Sequence, residues 1–174
     1  MNRNHAAHFA AAYALLRAAA DYADHWGQSD FDAQCKGATD EAPVTYKDDD
    51  ADEVTVGTRG GRAACARHCL TYSATQGLVL AVGSRLLGIR LNPAAVAGAI
   101  AISGLTHFAA DRRVPNGLLH RLAKVSGKER FYKLADHGIN GAYCLDQSWH
   151  HSFETLAAVV ATLGSSTLRH SDVA

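Results

Sequence analysis

Apolar residues recur three or four positions apart, the spacing of one helix face, in four long stretches of the chain. Over 5–26 the row is Ala6, Phe9, Ala10, Tyr13, Leu16 and Ala20. After Gly27 a short helix is predicted from Asp30 to a stop at Gly37. A second long helix is predicted over 62–87, ending near Gly88. The third has the clearest start. Asn92 is a good N-cap, and Pro93 suits the first helical position, where its missing N–H costs nothing. It should reach about residue 113, because Pro115 prevents continuation. Asn116 is expected to cap a short helix running to 124, and Ser126-Gly-Lys-Glu129 reads as the capping box of another over 128–135. The last long helix is predicted over 142–163, with Gly164 beyond it. Strand signals are weak, and Val-Thr-Val at 54–56 is too brief to build a sheet upon. The predicted fold is all-α: a bundle of four long helices with short connecting helices.

Length and composition fit that picture. The 174 residues suit one helical domain spanning 1–174, and 48% apolar with 20% charged residues is globular composition. Alanine is abundant and aromatics are few, which favours closely approaching helices. Segment 38–61, with Pro43 and two glycines at its end, is read as a mobile acidic loop. Net charge is zero, which excludes a general polyanion binder. The balance is uneven, however. Residues 40–53 are acidic, while 112–133 carry seven Lys or Arg against one Glu. The basic stretch reads as surface, with phosphate or anionic lipid contact as the lesser reading. Nucleic acid ranks last as a partner, because no recognition-helix pattern accompanies the charge.

Uncharged runs occupy 69–84, 91–110 and 155–168. Only the second approaches the ~20 residues a spanning helix needs, and Asn92, Pro93 and His107 weaken it. Association with a membrane surface stays open as an alternative. The N-terminus lacks the order of a secretory signal, so Cys35, Cys65, Cys69 and Cys144 are expected as reduced thiols. The expected location is membrane-associated or cytoplasmic, not secreted.

The candidate chemistry lies in polar pairs set four residues apart within apolar helices, and so on one face. These are Asp24 with Gln28, His68 with Tyr72, His107 with Asp111, and Asp146 with His150. Gln147 and His151 stand beside the last pair, and His150 with Glu154 offers an alternative face. Burying such groups unpaired costs about 1–3 kcal/mol each, so four inward-facing pairs have reason to meet. Imidazole and carboxylate together suit zinc, manganese or iron, and helical cores host such sites. In this reading His107, Asp111, His150 and His68 hold a divalent metal. Asp146, Lys36 and Asp24 act in catalysis: Asp146 as general base or orienter, Lys36 on developing negative charge. Gln28, Gln147 and Trp149 contact substrate. The function expected is metal-dependent hydrolysis of a phosphoester or an amide. The alternative is a non-enzymatic, membrane-associated bundle whose His, Asp and Gln pairs form a structural polar core, with Asp146 accepting from a histidine and Asp24 from Lys36. Cys65 and Cys69 are read as packed thiols, and Trp26 and Trp149 as core aromatics or as the frame of the site.

Four stretches in series carry a family resemblance: ADHWGQSDFDAQCKG, ACARHCLTYSAT, LTHFAADRR and LDQSWHH. In that order, over about 20–163, the chain resembles the bacterial and phage proteins of the domain of unknown function 3307 family. The family pattern would map to Asp24, Gln28, Lys36, His68, His107, Asp111, Asp146, Gln147 and His150. Family members often carry a His one turn before the first Asp. This chain has Ala20 there, so a ligand is lost or His25 or His8 replaces it. The resemblance implies helices, often with membrane-like hydrophobicity, and supplies no activity.

Overall fold

Helices form where the apolar spacing predicts them. The computed structural model describes residues 3–48, 53–136 and 138–168, and among these it is mostly helical. The middle of the predicted acidic loop, 49–52, lies outside the described residues. The long helices are α1 (Arg3–His25), α3 (Thr58–Leu86), α4 (Pro93–Asp111) and α7 (Gly141–Ala161). The short ones are α2 (Asp30–Cys35), α5 (Leu118–Val125) and α6 (Glu129–Tyr132). Three two-stranded antiparallel pairs accompany them: β1 (Val44–Tyr46) with β2 (Val54–Val56), β3 (Ile89–Arg90) with β6 (Ser166–Thr167), and β4 (Ala135–Asp136) with β5 (Ile139–Asn140).

Several local expectations change. Val54–Val56 does form a strand, because Val44–Tyr46 pairs with it in the register Val44 to Val56. The hairpin shortens the loop, and α3 begins at Thr58, not 62. Asn92 caps α4 as expected: its Oδ1 accepts from the N–H of Ala94 at 2.9 Å and of Ala95 at 3.3 Å. Asn116 caps nothing. It takes φ 55°, and Gly117 stands at the N-cap of α5 without a side-chain hydrogen bond. The capping box also fails. Ser126 Oγ donates backwards to Leu122 O at 2.7 Å, which closes α5 instead of opening α6.

The chain divides into two compact units. The first contains the described residues of 1–27, 70–105 and 151–174. Its core is built on alanine: Ala12, Ala99, Ala157, Ala158 and Ala161 surround Leu16 and Leu80, with Phe9, Tyr13 and Val96 against them. Small residues let the backbones approach. A Cβ on Gly83 would collide with Leu15, and one on Gly104 with Ser73. A polar group interrupts this core. Glu154 is buried, accepts from Tyr72 Oη at 2.6 Å and is ion-paired to Arg17, while Gln76 Nε2 donates to Tyr72 Oη at 3.2 Å.

The second unit contains the described residues of 28–69 and 106–150. Its small apolar core is Cys35, Ala38, Val56 and Ala64, with Phe31, Val44 and Tyr46 packed on it. Ser29 caps α2 by accepting from Asp32 N at 3.1 Å. Arg67 then fixes α2 against α3 by its 2.5 Å ion pair with Asp32, with its guanidinium 5.6 Å over the Phe31 ring. This packing sets the end of α2, and so sets Lys36.

Candidate metal centre

The second unit brings three helices to one buried point. His68 on α3 and His107 on α4 face each other, Nε2 to Nε2, at 2.8 Å. Asp111, one turn below His107, places Oδ2 3.1 Å from His68 Nε2 and 3.3 Å from His107 Nε2. All three residues are almost fully buried. The circle through these three atoms has a radius of about 1.8 Å, slightly less than a ~2.1 Å metal–ligand bond. These three residues are the ones that would hold an ion. Ligands ~2.1 Å from one ion lie about 3.0 Å apart at right angles and about 3.4 Å apart at the tetrahedral angle; the 3.1 and 3.3 Å edges fall in that range and the 2.8 Å edge just below it. The His and Asp groups here can hold a metal ion.

Two cations already attend the carboxylates. Lys36 Nζ lies 2.6 Å from Asp111 Oδ2 and 3.4 Å from Gln28 Oε1, and Lys36 is 3% exposed. Arg113 Nη2 lies 2.7 Å from Asp146 Oδ2 and 3.4 Å from Asp111 Oδ1. Burial pushes the Asp111 pKa upward. Hydrogen bonds from His107 and His68, with the charges of His107 and Lys36, outweigh it and hold the carboxyl well below its usual range. Two glycines allow this approach. A Cβ on Gly37 would sit 2.9 Å from Arg113 O, and one on Gly61 would collide with Ala38 O. Arg112 ties the same strands of chain together by donating to Lys36 O, and to Ala38 O at 3.3 Å.

On α7, His150 stacks on His107 with ring centroids 4.1 Å apart, and its Nε2 lies 3.5 Å from Asp146 Oδ1. Asp111, Asp146 and His150 make a second group of potential ligands, their atoms within 4.8 Å of one another. Gln147 follows on α7 and is half-buried. Trp149 is half-buried too, and its Nε1 donates to Thr106 O at 3.1 Å. Asp146 and Arg113 also border a cavity of about 10 Å³, lined further by Arg112, His120, Tyr132 and Ala142. That is room for about one water.

Asp24, with His68, His107 and Asp111, offers a ligand atom to one group of potential metal ligands. Asp24 is half-buried near the end of α1, while Gln28 follows that helix and reaches Lys36. The spacing of four therefore does not make Asp24 and Gln28 a helical pair. Tyr72 donates to Glu154 at 2.6 Å, and Glu154 is also ion-paired to Arg17. Lys36 pairs with Asp111. Trp26 is no core residue, being 83% exposed. His8 bonds Ser165 Oγ at 2.8 Å, and His25 Nδ1 bonds Asp21 O at 2.9 Å, so both are engaged locally. Cys65 and Cys69 are buried, and all four cysteines are free thiols. Sequence reasoning missed Arg113 as the bridge between two carboxylates, and missed Arg17 and Gln76 around Glu154. A basic residue two after Asp111 was the available signal for Arg113, and it was read as surface charge.

No family model matches the chain, and no curated protein or solved structure is similar to it. The family resemblance therefore rests on the four quoted stretches.

Proposed function

We propose that the protein binds a divalent metal through His68, His107 and Asp111 and uses it for hydrolysis of a phosphoester or amide. The observation that carries this reading is the triangle of two Nε2 atoms and one carboxylate oxygen, with edges of 2.8, 3.1 and 3.3 Å. Zinc, manganese and iron all accept such a set. A bound ion would lower the pKa of a coordinated water to about 7 and so supply a nucleophile. Asp146, 3.5 Å from His150 Nε2, serves as base or orients that imidazole. Lys36 faces the same carboxylate oxygen and is the cation for developing negative charge. Gln28, Gln147 and Trp149 are the substrate contacts in this reading. A four-helix bundle and membership of the domain of unknown function 3307 family go with it as proposals.

The test is metal analysis of untagged protein, then uptake of Zn²⁺, Mn²⁺ and Fe²⁺ by chelator-treated protein. Binding at micromolar metal, lost in His68→Ala and His107→Ala, is the expected result. No metal on purification and none taken up ends the proposal. Metal bound with no phosphoester or amide turnover ends the hydrolase part alone.

A second reading has its own support. The two carboxylates of the centre are balanced by Lys36 and Arg113, as in a structural polar core. Pro93–Asp111 is long and apolar enough to cross a membrane, and only 22% of its most apolar window is buried. The first unit also exposes Leu70, Leu78, Val82 and Leu86 on α3, Leu105 on α4, and Leu156 and Val159 on α7. A non-enzymatic, membrane-associated helical protein fits those observations. Fractionation separates the readings: protein that stays in the supernatant without detergent counts against the second.

A further inference from the structure

The carboxylate of Asp111 uses its two oxygens differently. Oδ2 meets His68, His107 and Lys36, whereas Oδ1 turns to Arg113. Asp146 repeats the division. Its Oδ2 takes the 2.7 Å ion pair with Arg113, while Oδ1 is buried and has no hydrogen-bond partner, with His150 Nε2 at 3.5 Å. A buried carboxylate oxygen with no donor costs free energy unless something positive reaches it. His150 Nε2 and both carboxylates surround that position. Arg113 differs from the groups around it. Its side chain is 44% exposed, against 0, 1 and 4% for Asp111, Asp146 and His150. It alone of the four has a direct way into water.

We propose that Asp111, Asp146 and His150 hold a second divalent cation, with Asp111 bridging it to the first and Arg113 keeping its place when it is absent. The inference rests on the metal reading of His68, His107 and Asp111. Two carboxylates and one imidazole make a harder ligand set than the first, so this position suits Mn²⁺ or Mg²⁺ better than a thiophilic ion. A bridging carboxylate between two ions ~3.5–4 Å apart is the arrangement that clamps both the attacking and the leaving oxygen of a phosphoester. The second ion therefore favours the phosphoester over the amide as substrate. The Arg113 guanidinium lends the two carboxylates its charge and leaves for solvent when the ion enters.

The test titrates the chelator-treated full-length protein with Mn²⁺, counts bound ions and records electron paramagnetic resonance. Two Mn²⁺ per chain with an exchange-coupled signal are expected. Asp146→Asn and His150→Ala should each bind one Mn²⁺ with an uncoupled signal. Arg113→Ala should bind the second ion about tenfold tighter or more, because a like charge no longer stands beside it. One ion per chain in both wild type and Arg113→Ala overturns the second position and leaves the first intact. No bound ion overturns both. Two uncoupled ions that persist in Asp146→Asn and His150→Ala also overturn it.

Discussion

Lys36→Met tests the electrostatics of the centre most directly. The ammonium lies 2.6 Å from Asp111 Oδ2, and Lys36 is 3% exposed, so water cannot replace it. Methionine keeps the length of the stem and removes only the charge and its donors. Breaking a buried pair in this way costs about 3–5 kcal/mol, against ~0–1 kcal/mol for an exposed one. Arg113 still faces the other oxygen at 3.4 Å, which puts the expectation near the lower value. For a chain of this size each kcal/mol lowers Tm by about 2–4 °C, so a fall of roughly 6–12 °C is expected in chelator. Thermal and urea unfolding measure it. Asp111→Asn combined with Lys36→Met should lose much less than the sum of the single variants, because no unmatched charge is left inside. Mn²⁺ should then restore Lys36→Met more than it stabilises the wild type, since the ion supplies the missing positive charge. A loss below ~1 kcal/mol, with additive double-variant energies, would refute the buried-pair reasoning.

Three further outcomes follow from the geometry. Tyr72→Phe removes a 2.6 Å hydrogen bond to a charged acceptor and should cost about 1.5–3 kcal/mol in urea unfolding; a change within ~0.5 kcal/mol would show that Glu154 does not depend on it. Gly61→Ala forces a Cβ onto Ala38 O and to 2.8 Å from Arg112 Nη1, so the backbone must shift at a cost of ~1–3 kcal/mol, and metal uptake should weaken with it. Hydrogen bonds from Thr58 hold the Asp40 carboxyl below its usual range, including the 2.8 Å bond from Thr58 N. A lowered folded-state pKa means the contribution is complete above about pH 4 and fades as pH falls further, so protection of the Thr58 amide should drop below pH 4 in wild type and stay level in Asp40→Asn.

The helices were legible because periodicity and end signals are local. Asn92-Pro93 and Gly164 carry their meaning within a few residues, and α4 and α7 lie close to the expected bounds. What failed locally failed for a long-range reason. Val54–Val56 looked too short because its partner is ten residues upstream, and pairing Val44 to Val56 is what makes both strands. Ser126 had two carbonyls of the preceding helix within reach, so its hydroxyl turned back to Leu122 and Ala123. The site shows the same division. His107 and Asp111 were readable as one face of one helix, and His68, Asp146 and His150 as their companions. Arg113 was not, because two residues beyond Asp111 the chain has left the helix and no period fixes where the side chain goes. Glu154 sat on the expected face of α7, and its partners Arg17 and Tyr72 come from helices remote in sequence.

Charge balance decides how such a centre must work. Asp111 and Asp146 contribute two negative charges in a buried setting, and Lys36 and Arg113 contribute two positive ones. These four charges cancel, which lowers the cost of burying them. A divalent ion entering without exchange would leave a surplus of two in a region of low polarisability, and the desolvation would cost several kcal/mol. Release of one resident cation would halve that surplus, and exposure chooses which. The Lys36 side chain is 4% exposed and stays between Asp111 Oδ2 and Gln28 Oε1. That of Arg113 is 44% exposed and can exchange its carboxylates for water. Removing Arg113 should then tighten metal binding, whereas removing Lys36 should chiefly destabilise the fold. The two variants thus separate a cation that guards a ligand position from one that holds the centre together.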